Sequence, residues 1–247
     1  MAFPPLITSE KLSRVKEVRF GLSTRNGGVS PEPYGMNTSL RVGDEAENVR
    51  ANRRRILGFL GIDGAQLAAP LQCHSNVVRA VAQPGEYPAC DGLTTDRISL
   101  ALVILVADCL PIVLYDARHR AVSLVHAGWR GTSGQIVQSA VRVMAHEFQT
   151  DAAELTVYLG PSAGVCCYEV GSEVAERFPA ACVEERARRL YLDLKGANLQ
   201  QLLDVGAERK NVEVSPHCTI CEPDQFHSYR RDREESGRMM AVVSLIN

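Results

Sequence analysis

Leu100-Ala-Leu-Val-Ile-Leu-Val106, Ala107-Asp108-Cys109-Leu110-Pro111, Ile112-Val-Leu-Tyr115 and, after the turn Asp116-Ala-Arg-His119, Ala121-Val-Ser-Leu-Val125 with His126-Ala-Gly-Trp129-Arg130-Gly131 behind it decide the fold. Three short runs rich in Val, Ile and Leu, bounded by polar or turn-forming residues, predict buried strands. A thiol and an imidazole then close one apolar hairpin, where packing alone gives little reason for them. Upstream, Gln72-Cys-His74-Ser75 supplies a third group of the same kind.

Outward from this centre, Val18 to Ser23, Asn76 to Val81, Leu155 to Leu159, Arg189 to Leu192, Val212 to Val214 and Met239 to Leu245 also predict strands. Asp44 to Leu60 has helical spacing, with Val49, Ile56, Leu57 and Leu60 on one side and Gly61 as the stop. Ser133 to Phe148 repeats apolar residues at Ile136, Val137, Ala140, Val141, Met144 and Phe148, a second helix that Thr132 or Ser133 can cap. Ser172 to Phe178 and Lys195 to Gly206 read as further helices. With no long Pro/Gly/Ser linker, fixed-period repeat or low-complexity tract, one mixed α and β domain over residues 1–247 is expected.

A chain of 247 residues buries a core without disulfides. Its 45% apolar and 23% charged content and net charge of -2 give no field that calls for nucleic acid or an anionic membrane as partner. Met1-Ala-Phe-Pro-Pro5 does not read as a secretory signal, and the longest apolar stretch, Leu100 to Ala107, is too short to span a bilayer. A cytoplasmic protein is expected, in which eight cysteines are reduced thiols or metal ligands.

His74, Cys109 and His126 meet the count of a catalytic zinc site, three protein ligands with a fourth position for water or substrate. The same atoms also read as a Cys109 nucleophile with His126 as its base, or as a buried thiol and a core histidine. Asp108 is a candidate to orient an imidazole or act as general base. Trp129 and Arg130 offer a flat face and a cation for an aromatic or phosphorylated ligand, and Arg25 opens a glycine loop, Asn26-Gly27-Gly28, whose N–H groups suit an anion. Cys218-Thr-Ile-Cys221 invites a structural zinc or a redox pair. No second such motif accompanies it, and the adjacent Cys166 and Cys167 are a poor geometry for chelating one ion together. Ser228 to Arg233 is basic, but Glu234 and Glu235 offset it, as on a salt-bridged surface.

The motifs run almost from end to end: Ser23-Thr-Arg25-Asn-Gly27-Gly28-Val-Ser30, Gly43-Asp44 with Asn52-Arg53, Gln72-Cys-His74, Asp91, Ala107-Asp108-Cys109-Leu-Pro111, His126-Ala-Gly-Trp-Arg130-Gly131, Gly160-Pro161, Tyr168-Glu-Val-Gly171, Cys218-Thr219 and Phe226-His-Ser228-Tyr229-Arg230-Arg231-Asp232. On them the chain resembles the YfiH-type proteins, known both as laccase-like multicopper polyphenol oxidases and as purine nucleoside phosphorylases. The resemblance implies an α+β fold of layered mixed β-sheets flanked by helices, distantly shared with cysteine-dependent deamidase toxins. It also implies zinc on His74, Cys109 and His126, with copper-dependent phenol oxidation attributed to some members. The implied reactions are phosphorolysis of adenosine, inosine, guanosine and methylthioadenosine by inorganic phosphate, and adenosine deamination. Phosphorolysis needs an anion clamp at the anomeric carbon, for which Arg25 with the glycine amides, or Arg130, are the candidates. Cys73, Val106 and His227 depart from the usual Val, Thr and Phe of the pattern.

Overall fold

The structure, a computed structural model, describes residues 5–62 and 65–247. Met1 to Pro4, read above for a targeting signal, lie outside the described residues.

One six-stranded sheet has the spatial order β1 (Leu6–Ile7), β2 (Val18–Ser23), β15 (Met239–Leu245), β7 (Leu100–Val106), β3 (Gln66–Pro70) and β5 (Gly85–Tyr87). A second has the order β14 (Val212–Val214), β10 (Thr156–Leu159), β8 (Leu110–Asp116), β9 (Ala121–Ala127), β6 (Gly92–Thr95) and β4 (Val78–Ala80). A third, of three strands, joins β11 (Glu169–Val170), β13 (Arg189–Leu192) and β12 (Val183–Arg186). Both large sheets mix parallel and antiparallel neighbours, as β3 beside β7 and β15 beside β7 show. The helices are α1 (Glu10–Ser13), α2 (Ala46–Phe59), α3 (Trp129–Ser133), α4 (Ile136–Phe148), α5 (Ser172–Ala175), α6 (Leu194–Asp204) and α7 (Tyr229–Asp232). None is long and apolar enough to cross a membrane among the described residues.

The central runs are apolar throughout because each strand is covered on both faces. Along β7, Leu102, Ile104 and Val106 pack into the space between the two large sheets, while Ala101 and Val103 face Ile56, Leu57 and Leu60 at α2. Along β8, Val113 and Tyr115 fill that same inter-sheet space, and Ile112 and Leu114 meet Ile136, Val137, Ala140 and Met144 of α4. The layers are therefore helix, sheet, sheet, helix. A one-residue slip of β7 or β8 would exchange these sets, so the register is fixed by burial on both sides. Truncating Ile104 to alanine would cost about 2–5 kcal/mol.

Two departures from the sequence reading bear on function. β8 and β9 are longer than the apolar runs alone, which carries Pro111 and His126 into the ladder as register partners. Helix α4 begins at Ile136 after Gln135, whose backbone is left-handed (φ 62°), and it has no side-chain cap. Thr132 is instead buried, and its hydroxyl accepts from Asn198 Nδ2 of α6, so α3 is a separate helical turn packed at the end of β9.

Candidate active site and metal centre

Cys109 sits in the bend that carries the chain from β7 in one large sheet to β8 in the other. His126 is the penultimate residue of β9, opposite Pro111. Proline is tolerated in this interior strand because His126 sends its N–H away from it, to the Asp91 carbonyl at 2.7 Å. On its other side the Pro111 carbonyl accepts from Gly160 N at 2.9 Å. His74 lies in the loop after β3. There the Gln72 side-chain amide bonds both backbone groups of Leu105, at 2.8 and 2.9 Å, and so continues the β3–β7 ladder one step further with a side chain.

Asp91, fully buried, organises the three donors. Its carboxylate accepts from the backbone N–H groups of Cys73, His74 and Ser75 at 3.2, 3.0 and 2.6 Å, and from the Ser75 hydroxyl at 2.8 Å. These bonds hold the turn in which His74 takes a left-handed backbone (φ 60°). The same carboxylate accepts from His126 Nδ1 at 2.9 Å, which leaves Nε2 free to face Cys109. Burial would raise the Asp91 carboxyl, but the bonds from His126 and Ser75 hold it well below the usual carboxylate range.

The ligand atoms of His74, Cys109 and His126 all lie within 4.8 Å of one another, and the two imidazoles meet edge to face at 5.0 Å. Gly128 floors the group, since a Cβ there would stand 3.0 Å from Cys109 Sγ and 3.2 Å from His74 Cδ2. Burial pushes the Cys109 thiol up, yet the His126 imidazole, with His74 behind it, draws it down to about 6. Burial lowers His126, but the Cys109 charge and the Asp91 hydrogen bond raise it to about 9. A thiolate beside imidazoles, oriented from behind by a carboxylate, is the chemistry of a His2Cys metal site. These residues fit zinc.

One residue beyond Gly128, Trp129 opens a cleft of about 430 Å3 lined by Tyr168, Glu169, Val170, Gly171, Glu173, Val174 and Arg230. That volume suits a nucleoside-sized ligand. Two cations stack on the aromatic side chains: Arg230, itself a lining residue, is 5.2 Å from the Tyr168 ring centre, and Arg130, outside the lining, is 4.3 Å from that of Trp129. Burial, reinforced by the charge on Cys109, raises the Tyr168 hydroxyl and keeps it protonated.

The structure therefore brings together His74, Cys109 and His126, with Trp129 and Arg130 adjoining. Asp108 faces away from them. Its two carboxylate oxygens accept from the Thr219 hydroxyl and the Arg230 backbone N–H, both at 2.7 Å. Arg25 binds the carbonyls of Pro223 and Pro33 and the Glu32 carboxylate, and it does not line the cleft. Asp91, Tyr168 and Arg230 stood in the sequence pattern without a role, and the structure supplies one for each. Most of the basic run from Ser228 lies at the surface, but Arg231 reaches inward, donating to the carbonyls of Thr219, Ile220 and Phe226 while pairing with Asp232. The expectation about the remaining cysteines is corrected, because Cys166, Cys167, Cys218 and Cys221 form a second group able to hold a metal, their sulfurs within 4.8 Å of one another. Adjacent thiols converge here because residues 164–168 form a helical turn, with Cys167 N and Tyr168 N both donating to Gly164 O at 2.9 Å.

Residues 19–246 match a family described as multi-copper polyphenol oxidoreductase laccase. A purine nucleoside phosphorylase, YlmD, of Geobacillus stearothermophilus is 34% identical, over 90% of this chain and 88% of that protein. A purine nucleoside phosphorylase of Deinococcus radiodurans is 38% identical, over 98% and 93%. The crystal structure of the Geobacillus YlmD superposes with a TM-score of 0.90 at 32% identity, covering 97% of this chain and 94% of that one.

Proposed function

The chain belongs to the family described as multi-copper polyphenol oxidoreductase laccase, and from that membership and the geometry around Gly128 we propose that it is a zinc-dependent purine nucleoside phosphorylase. One observation carries the reading. Cys109 and His74 of the metal group pack against Gly128, and the next residue in the chain, Trp129, lines a cleft sized for a nucleoside. The names of the whole-length relatives supply the reaction class.

His74, Cys109 and His126 would hold the ion, which when bound would supply Lewis-acid polarisation. A multicopper centre is disfavoured because, of six histidines in the chain, only His74 and His126 belong to a metal-binding group among the described residues, and zinc is preferred for a His2Cys set with one position left open. Trp129 and Tyr168 offer flat faces for the purine. Arg130 and Arg230, stacked on them, take the anion duty, since the Arg25 guanidinium is already satisfied. Asp108 acts as a positioning residue through the Arg230 backbone and Thr219. Tyr168 offers a protonated hydroxyl as a hydrogen-bond donor to the departing base. The substrates proposed are adenosine, inosine, guanosine and methylthioadenosine with inorganic phosphate, and adenosine deamination is the secondary reaction. We place the protein in the cytoplasm, where its thiols stay reduced.

The test is incubation of zinc-loaded protein with inosine and phosphate, followed by assay of hypoxanthine and ribose 1-phosphate. Both products are expected in equal amounts, and ammonia in a parallel incubation with adenosine. Absence of the products with wild-type protein overturns the phosphorylase reading. Activity that survives metal removal and is lost on alkylation of Cys109 would instead mark a Cys109–His126 amidohydrolase, the second use of the same ion pair.

A further inference from the structure

Four of the eight cysteines converge away from the active site. Cys166 and Cys167 sit in the helical turn before Tyr168, and Cys218 and Cys221 open and close the turn Cys218-Thr-Ile-Cys221. Cys221 Sγ lies 3.3 Å from the sulfurs of both Cys166 and Cys167. Ligands at metal–sulfur bonds of about 2.3 Å stand roughly 3.8 Å apart at tetrahedral angles, so a sulfur group of this size has room for one ion.

The backbone around the sulfurs is arranged for thiolates. Gly164 N donates to Cys218 Sγ at 3.3 Å, and the N–H groups of Ile220 and Cys221 also serve that sulfur. Gly164 allows the approach, since a Cβ there would stand 3.1 Å from Cys166 Sγ and 3.3 Å from Cys218 Sγ. The Lys195 ammonium, held by the carbonyls of Ser215 and His217 at 2.8 and 2.6 Å, acts on Cys218 and Cys166 as the nearby cation. Such outer partners steady a metal's ligands and offset their charge.

We propose that Cys166, Cys167, Cys218 and Cys221 form a second, closed metal site that takes one thiophilic divalent cation, zinc, as a structural clip. Four thiolates complete the tetrahedron, so no position is left for substrate, and each thiol still protonated gives its proton to solvent as the ion binds. The ion joins two segments of the cleft's support. One leads directly to Tyr168. The other carries Thr219, which bonds Asp108, and the Thr219 and Ile220 carbonyls that receive Arg231.

Metal content of the full chain, purified reduced, zinc-loaded and desalted, tests this. Wild type should hold two zinc ions, whereas His74→Ala and the double variant Cys166→Ser/Cys221→Ser should each hold one, since the two donor groups are separate. Cobalt loaded into His74→Ala should give the intense sulfur-to-metal charge transfer and visible bands of a tetrahedral tetrathiolate. A zinc content that is the same in the double variant as in wild type overturns the proposal. So does a count of six free thiols rather than eight in denaturant without reductant, which would mean a disulfide. Should the double variant fail to fold, alkylation of wild type decides. Zinc must shield all four cysteines from iodoacetamide, and equal labelling with and without zinc overturns the clip.

Discussion

The two cysteine-bearing clusters differ in what offsets the charge on sulfur. At the candidate active site one thiol stands among two imidazoles, with Asp91 behind them, and despite burial it is drawn down to about 6 while His126 rises to about 9. The charge there is balanced before any ion arrives. In the other cluster the partners are mostly sulfur. Burial and the neighbouring thiols push Cys166 up to about 11 and Cys221 higher still, and against the same burial Cys218, served by backbone N–H groups, comes down to about 7. Such a group is relieved by a cation rather than by internal pairing. The first cluster offers three donors, which on the proposed reading leaves a coordination position open. The second has four donors and none open. The contrast is the physical difference between a metal placed for chemistry and one placed for architecture.

Removing a donor from the first cluster is the strongest way to test that contrast. Cys109→Ala should lower phosphorolysis at least about a hundredfold, because several kcal/mol of charge stabilisation leave with the metal. The tetrathiol group should keep its ion. Activity assayed beside metal content reads both, and a Cys109→Ala protein that keeps wild-type activity would break the comparison at its first term.

Stripping the metal exposes the difference in acidity. The Cys109 thiol lies at about 6 instead of its usual 9.0, so its contribution to stability is present above 9.0 and lost as pH falls through about 6. His126 has the opposite sign: raised from 6.5 to about 9, it contributes below 6.5 and loses that contribution as pH rises through about 9. The thiolate–imidazolium pair is therefore populated between these limits. In metal-free protein, iodoacetamide should alkylate Cys109 with a midpoint near pH 6 and Cys166 with one near 11, followed by peptide mass mapping. A common midpoint near 9 would erase the distinction between the clusters.

Asp91→Asn keeps the shape of the residue and removes the charge that His126 Nδ1 and three successive N–H groups share. Loss of such a carboxylate behind a ligand typically costs about 10–100-fold in metal affinity or activity. The expected result is zinc affinity weakened by that factor at the first cluster, measured by competition with a chelator, and unchanged at the second.

How far the sequence foretold each region follows from the same physics. β2, β7, β13, β14 and β15 match the sequence reading residue for residue, because each is dominated by β-branched, aromatic or other apolar residues. β3, β5 and β6 escaped it. Each is short and begins or ends on Pro70, Gly85 or Gly92, and tertiary pairing makes them strands. His74, Cys109 and His126 were legible because reactive groups stand at the ends of apolar runs. Asp91 was not, since an acidic residue before a glycine reads as a turn until its partners are seen. The tetrathiol group was hidden for a different reason. Its halves are brought together by the β10–β14 pairing and the bridge between Ser162 and Cys218, a contact no local pattern encodes.

The smallest effect tests the cleft. Arg130 stacks on the Trp129 ring, one residue beyond it in α3, and is exposed to solvent. An exposed ion contact is screened and worth about 0.2–1 kcal/mol, so Arg130→Gln should raise the KM for phosphate only about 1.4- to fivefold. The change should shrink as salt is added, and zinc content should stay at its wild-type value, because neither donor group involves this side chain. Steady-state rates at varied phosphate and varied inosine separate the two uses of the residue. If the KM for inosine rises and that for phosphate does not, Arg130 supports the ring face of Trp129, and the anion duty falls to Arg230, whose backbone Asp108 holds in place.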